Sequence, residues 1–285
     1  MKNLLYFLPF IFIENYMFSQ SVILPPLNRY KYESIVVDSG CIRVLYALNA
    51  VDITDAKTYD DLQRLEIGLN ISKFYSYFYY YRDSLVRDFI KKNPKAQGFS
   101  NQSGPFGKKG NAWSLIIWSD FFKDFSKNEF TEYANMPHGA IPPYQYTEKI
   151  PIQEWKVHED TLTVCGFLCQ KATCRFRGND FTAWYAPNVP ISNGPWKFGG
   201  LSGLILKVYD KNKHYDFECI KIEYHTEKFP IFLFDEKRYI RTERLALRQL
   251  EKDIHENFKA IGGWINTDGT IPKFEPNPYH PLELE

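Results

Sequence analysis

The chain has 285 residues, with 35 basic against 34 acidic and a formal net charge of +1. That balance creates no overall field favouring nucleic acid or an anionic membrane surface, so a nucleic-acid partner is not expected. The length suits one large or two modest domains, and an aromatic content of 17%, mostly Tyr and Phe, favours pleated, half-buried surfaces.

At the start of the chain Lys2 precedes a short apolar run, Leu4 to Ile13, which Glu14 and Asn15 end before Ser19-Gln20. This resembles a secretory signal, although Met17-Phe18-Ser19 is a poor small-x-small cleavage site. The run is too short to span a bilayer comfortably. No later stretch is apolar for the length a span needs, so the mature chain is expected to carry no transmembrane segment. The expected organisation is a signal peptide at residues 1–20 and a single domain at 21–285, in the periplasm or outside the cell.

Tyr30 to Ala50 reads as strand material divided by a turn signal at Ser39-Gly40. Asp52 to Gly68 is polar, and Asp60 or Asp61 could cap a short helix there. Ile71 to Tyr81 (ISKFYSYFYYY) follows neither a period of 2 nor one of 3.6. It reads as a strand, a short helix or an aromatic wall facing a ligand. A helix over Asp83 to Lys92 is followed by a glycine-rich loop, Asn93 to Asn111, whose Gly104, Gly107 and Gly110 fit no phosphate-binding pattern. Ala112 to Trp118 reads as a strand.

An extended run from Leu162 to Phe176 is expected to reverse at Arg177-Gly178-Asn179-Asp180 and return through Phe181 to Tyr185. Ala186 to Pro195 is a connector, because Pro187 and Pro190 resist a central strand. Leu201 to Val208 is the next strand, and Tyr215 to Tyr224 returns beside it. The change of buried parity in that return strand calls for a bulge near Cys219-Ile220 or burial on both faces. Phe229 to Phe234 adds a further strand, with Pro230 favouring an edge. Arg241 to Ile261 holds the strongest helix, with Leu247, Leu250, Ile254, Phe258 and Ile261 at spacings of three or four. The expected fold is α+β, mainly β: a curved antiparallel sheet with this C-terminal amphipathic helix packed on it.

The five cysteines are Cys41, Cys165, Cys169, Cys174 and Cys219. An odd number in an exported chain leaves at least one free or paired between chains. Their spacing is not that of a zinc module, so no metal is expected. On one regular strand Cys165 and Cys169 would stand about 13 Å apart, beyond disulfide reach, so local pairing requires a break at Gln170 to Thr173, and otherwise Cys41 or Cys219 is the better geometric partner. The five are candidates for a disulfide whose pairing the sequence leaves open. His138, His158, His214, His225, His255 and His280 form no metalloprotease pair, Ser202 sits in no nucleophile elbow, and no cofactor is called for. Asp52, Asp55, Asp60 and Asp61 read as a solvated acidic face.

Gly200-Leu201-Ser202-Gly203-Leu204-Ile205 resembles the signature of the GLPGLI family, exported proteins of Bacteroidetes, with Ser202 in place of proline. Cys169-Gln170-Lys171-Ala172, Phe176-Arg177-Gly178, Ala183-Trp184-Tyr185 and Gly194-Pro195-Trp196-Lys197-Phe198 look like the family's preceding block. Ile71 to Ser76 and the tail Asn277 to Glu285 resemble its outer segments. The resemblance implies an exported address and a GLPGLI-like domain, and it assigns no activity. Trp184, Trp196, Phe198, Gly200, Leu201, Gly203 and Leu204 are read as structural anchors. The aromatic supply and the lack of a recognisable catalytic set favour a non-catalytic envelope protein that binds a lipophilic ligand or a protein partner. The alternatives are a hydrolase whose site assembles in space and a structural protein without a ligand.

Overall fold

A computed structural model describes residues 34–95, 115–136, 141–261, 269–270 and 279–285. The signal segment, most of the glycine-rich loop, His138 and most of the proline-rich tail lie outside them. Within the described residues twelve strands join one sheet. They are β1 (Ser34–Leu48), β2 (Asp61–Gly68), β3 (Ile71–Ser76), β4 (Ser119–Asp124), β5 (Glu129–Ala134), β6 (Tyr144–Lys149), β7 (Lys156–Val164), β8 (Phe167–Phe176), β9 (Asn179–Ala186), β10 (Leu204–Asp210), β11 (Asp216–Phe234) and β12 (Ile240–Arg241). Their spatial order is β12-β6-β5-β4-β3-β2-β1-β11-β10-β9-β8-β7. All pairs are antiparallel except β12 with β6. Two α-helices, α1 (Tyr77–Lys92) and α2 (Arg244–Ile261), complete the α+β, mainly β, architecture expected from the sequence.

Short hairpins dominate because the turn residues supply the required backbone. Cys165-Gly166 and Arg177-Gly178 each have φ near 50° then 81°, the left-handed pair of a type I′ turn. The second reversal is the expected one. The first breaks the predicted Leu162 to Phe176 run into β7 and β8, because Gly166 takes the left-handed conformation at little cost.

The sheet curls strongly at the β7 end. In a flat sheet the four spacings between β7 and β11 would separate them by about 19 Å. Their Cα atoms instead approach within 8 Å. At the other end of β11, the ribbon it forms with β1 bends at register shifts between Val36 and Asp38 and between Gly40 and Ile42. Ser39-Gly40 is therefore a bend inside one strand, not a turn between two. A Cβ on Gly40 would meet the Phe229 ring at 2.6 Å, so only glycine permits this approach. The bent ribbon lays Phe229, Ile231 and Leu233 against Phe122 and Tyr133 on the outer face of β4 and β5. Phe229 to Phe234 thus continues β11 and is not a separate strand. Ile220 is the extra residue between Cys219 and Lys221 opposite Tyr46 and Leu45, the bulge that the parity change called for.

Three other expectations give way to the structure. The aperiodic Ile71 to Tyr81 is a strand followed directly by a helix, with Ser76 as the N-cap accepting from the Tyr79 N–H at 3.0 Å. Leu115–Trp118 is a 3-10 turn, and strand β4 starts only at Ser119. Asp60 and Asp61 cap no helix: Asp55 caps a short 3-10 turn at Ala56–Thr58, and Asp61 opens β2. Asp61 is also buried, so the four aspartates do not share one solvated face.

Asp61 lies under the cap. Its Oδ1 accepts from Ser76 Oγ at 2.9 Å, and its Oδ2 lies against the Gln63 amide. Gln63 Oε1 has no hydrogen-bond partner among the described residues. Burial pushes the Asp61 carboxyl up to about 8, against the hydrogen bonds from Ser76, Leu62 and Gln63. A protonated Asp61 facing a flipped Gln63 amide satisfies the orphan oxygen. The ordinary carboxyl value is 3.8, so between it and about 8 the folded state holds a proton that the unfolded chain has lost, and stability falls as pH rises through that window. Asp61→Asn keeps an N–H donor for Gln63 and is expected to remove this slope, at most about 1.4 kcal/mol per pH unit for one proton. Urea unfolding across the window measures it. Glu251, raised to about 8 by burial, contributes a residual slope of the same sign.

Candidate functional site

Two structures rest on this frame: a connector driven into the core, and a groove left open on the outer face. The connector, residues 187–203, leaves the sheet after β9 because its prolines cannot continue the ladder. Trp196 and Phe198 are fully buried and meet edge to face at 5.2 Å. Phe176 and Phe181 close around them at 5.9 and 4.8 Å. Leu201 and Leu204 are buried as well. Trp184 is only partly buried, on β9, with the Lys171 ammonium 6.0 Å from its ring. Gly200 is exposed at φ +80°, while a Cβ on Gly203 would stand 2.2 Å from the Ala186 carbonyl oxygen. Strand β10 starts at Leu204, three residues later than the apolar run suggests, once the chain has passed this contact. Ser202 is exposed, so serine there removes no core contact.

Two buried lysines fix the connector from opposite sides, and nothing in the sequence pattern singled them out. Lys123 rises from β4 to donate to Asn193 Oδ1 at 3.0 Å, to the Gly194 carbonyl at 3.3 Å and to the Phe198 carbonyl. Burial pulls its ammonium down to about 7. Lys197 reaches Glu148 of β6 at 2.7 Å and Glu283 of the C-terminal segment. Arg244 of α2 also holds Glu283, at 2.6 Å, and Arg248 holds Glu132 of β5 at 2.7 Å. Glu283 sits below its ordinary value because Lys197 and Arg248 outweigh the opposing effect of burial.

All five cysteines are free thiols in this structure. Cys41 and Cys165 are exposed, whereas Cys169, Cys174 and Cys219 are buried. Cys165, at the β7-β8 tip, touches Cys219 on β11. Among the histidines, His214 stacks on His280 at 3.9 Å and His255 is buried in α2.

The groove holds about 560 Å³ between the bent ribbon, β3 to β6 and the segment entering β12. Its floor is Phe122, Tyr133, Ile71 and Leu233, with the hydroxyls of Thr131 and Thr147 paired at 3.0 Å and the Gln145 amide beside them. Tyr133 donates to Glu236 at 3.1 Å and packs edge-on against Phe122 at 5.5 Å. Burial, then the Glu236 carboxylate, pushes the Tyr133 hydroxyl well up. Lys127, Glu129, Arg241 and Glu243 form an exposed, mixed-charge rim. Asp124 is committed to the β4-β5 turn, accepting from the Ser126 and Lys127 N–H groups at 3.0 and 3.1 Å. Of the residues singled out from the sequence as anchors or cysteines, none lines the groove. Its chemistry comes from strands that carry no motif.

Residues 119–249, just under half of the chain, match a family model described as "N-glycanase peptide, N-terminal domain". The matched span holds most of the groove floor, the connector and its signature. Two solved structures of PNGF-II, in space groups P21 and C2, align with TM-scores of 0.45 and 0.41 at 14% and 13% identity. Each alignment covers 74% of this chain, which spans about a third of the aligned chain (33% and 32%). No curated protein matches the chain. The GLPGLI resemblance is shown by neither the family model nor the structures.

Three substitutions test the connector by chemical denaturation. Gly203→Ala must displace backbone and is expected to cost the upper end of about 1–3 kcal/mol or more, exceeding Gly200→Ala, which costs about 1–2 kcal/mol for the left-handed backbone alone. Lys197→Met leaves Glu283 with Arg244 alone and is expected to cost about 1.5–3 kcal/mol.

Proposed function

We propose that the chain is a non-catalytic binding domain of an exported protein, with a signal segment at residues 1–20 and one domain at 21–285, and that its outer-face groove takes a hydroxyl-rich ligand such as a saccharide chain. The observation that carries this reading is the pairing of an aromatic floor with hydroxyl, amide and mixed-charge groups around one groove. Phe122 and Tyr133, both largely buried, close the bottom of the groove with apolar surface, and a sugar's hydroxyl edge can meet Thr131, Thr147, Gln145 and the rim. The charged rim disfavours a wholly lipophilic ligand, which would desolvate Glu129, Glu243 and Arg241 without replacing their hydrogen bonds. The lining carboxylates are Asp124, held in its turn, Glu236, which accepts from Tyr133, and Glu129 and Glu243 on the exposed rim. The family description of an N-glycanase N-terminal domain brings saccharides into the same field. The resemblance of residues 200–205 to the GLPGLI signature, with Ser202 in place of proline, supports an exported address.

Calorimetric titration of the full chain with neutral oligosaccharides tests the proposal. Saturable binding is expected, weakened about tenfold, or about 1.4 kcal/mol, by the exposed-rim substitutions Arg241→Ala and Glu243→Ala. Binding indifferent to both changes, or saturable binding of a lipid in place of any saccharide, would overturn it.

A further inference from the structure

We propose that Cys165 and Cys219 are a dithiol pair that closes to a disulfide, stapling the tip of the β7-β8 hairpin to the free edge of β11 and locking the curl of the sheet. Three features of the fold converge on this pair. First, β10 pairs with β11 only over Asp216 to Glu218, so from Cys219 onward that edge of β11 has no β10 partner. Second, the curled sheet returns β7 to this edge, within 8 Å between Cα atoms, although four strand spacings separate them in the order. Third, the bulge at Ile220 interrupts the ladder beside Cys219. The two thiols are close neighbours, and each perturbs the titration of the other. Cys165 is an exposed residue of the type I′ turn, whereas Cys219 is buried.

The surroundings separate the roles of the two sulfurs. Cys165 is exposed, and its hydrogen bond from Cys219 lowers it to about 7, which makes it the attacking thiolate. Cys219 is pushed up by the same contact and by burial, so it keeps its proton until the second step. Cys169 lies near both, but burial raises it to about 11, and it donates to the Phe167 carbonyl at 3.5 Å. Cys174 is buried elsewhere, beside Asp180, and Cys41 is exposed on β1. One pair thus forms and three thiols remain, in keeping with the odd count.

The chemistry is thiol-disulfide exchange with a small or protein disulfide as oxidant. Cys165 thiolate attacks one oxidant sulfur, forming a mixed disulfide and expelling the first thiolate. Cys219 then gives its proton to that thiolate and attacks Cys165 Sγ, and the second thiol leaves with a solvent proton. The pair loses two electrons and two protons, and the oxidant disulfide becomes two thiols.

The full chain is equilibrated in glutathione buffers from reducing to oxidising, alkylated, digested and read by mass spectrometry, with thermal unfolding in parallel. The expected results are loss of alkylation at Cys165 and Cys219 together, a peptide linking the two, continued alkylation of Cys41, and a Tm that rises on oxidation. Cys165→Ser, an exposed change, is expected to abolish both the linked peptide and the Tm rise. Cys219→Ser should leave Cys165 as a stable mixed disulfide with glutathione. Cys165 staying alkylatable in the most oxidising buffer, or linking to Cys169 or Cys41 instead, would overturn the assignment. So would a Tm rise that persists in Cys165→Ser.

Discussion

The ammonium of Lys123, held against the carbonyls of a proline-bearing connector, is the interaction on which the rest of the structure depends. Residues 187–203 cannot join the sheet, so their backbone groups must find partners elsewhere or remain unpaired in the core. Lys123 meets that need from below, on Asn193, Gly194 and Phe198, while Leu204 and Ile205 donate from above to the Val189 and Asn193 carbonyls at 3.0 Å each. With both sides satisfied, Trp196 and Phe198 can point inward and Gly203 can settle on Ala186. A buried lysine without a carboxylate beside it is costly, and here carbonyl and amide oxygens offset that cost.

The connector also joins the two halves of the sheet. Lys123 belongs to β4, while the aromatics beside Trp196 and Phe198 belong to β8 and β9. Lys197 then points to β6, α2 and the C-terminal segment. Ion pairs of this burial add little over well-packed apolar residues, but each charged group fixes one partner and no other. Their contribution here is to set which strand faces which loop. The inner face is consequently full. Among the described residues the outer face of β4 to β6 is covered by the bent ribbon and by Tyr239, and the space between the ribbon and the segment around β12 is the groove.

Much of this architecture was legible because turn residues and apolar parity act locally. The β8-β9 hairpin, the β10-β11 pair, the bulge at Ile220 and the apolar stripe of α2 all follow from residues within a few positions of one another. What could not be read depends on groups far apart in the chain. Ser39-Gly40 looks like a turn until Phe229 is laid across it. Asp61 looks solvated until α1 begins above it at Ser76. Lys123 and Lys197 look like surface charges because their partners lie 70 and 86 residues away, at Asn193 and Glu283. The groove was illegible for the same reason, since its floor combines β3, β4, β5 and β11.

A sheet that curls without closing keeps edges, and an unpaired edge invites other chains. This one protects its edges by different means. Strand β12 covers β6. The outermost strand, β7, is exposed along most of its length and carries Lys156, Glu159 and Asp160, and its register against β8 shifts between Val157 and Thr161, both of which discourage pairing. The far half of β11, paired only with β1, contains Pro230, which has no N–H to offer. The near half, from Cys219 to Tyr224, has neither a proline nor a β10 partner, and there the tip bearing Cys165 comes to rest.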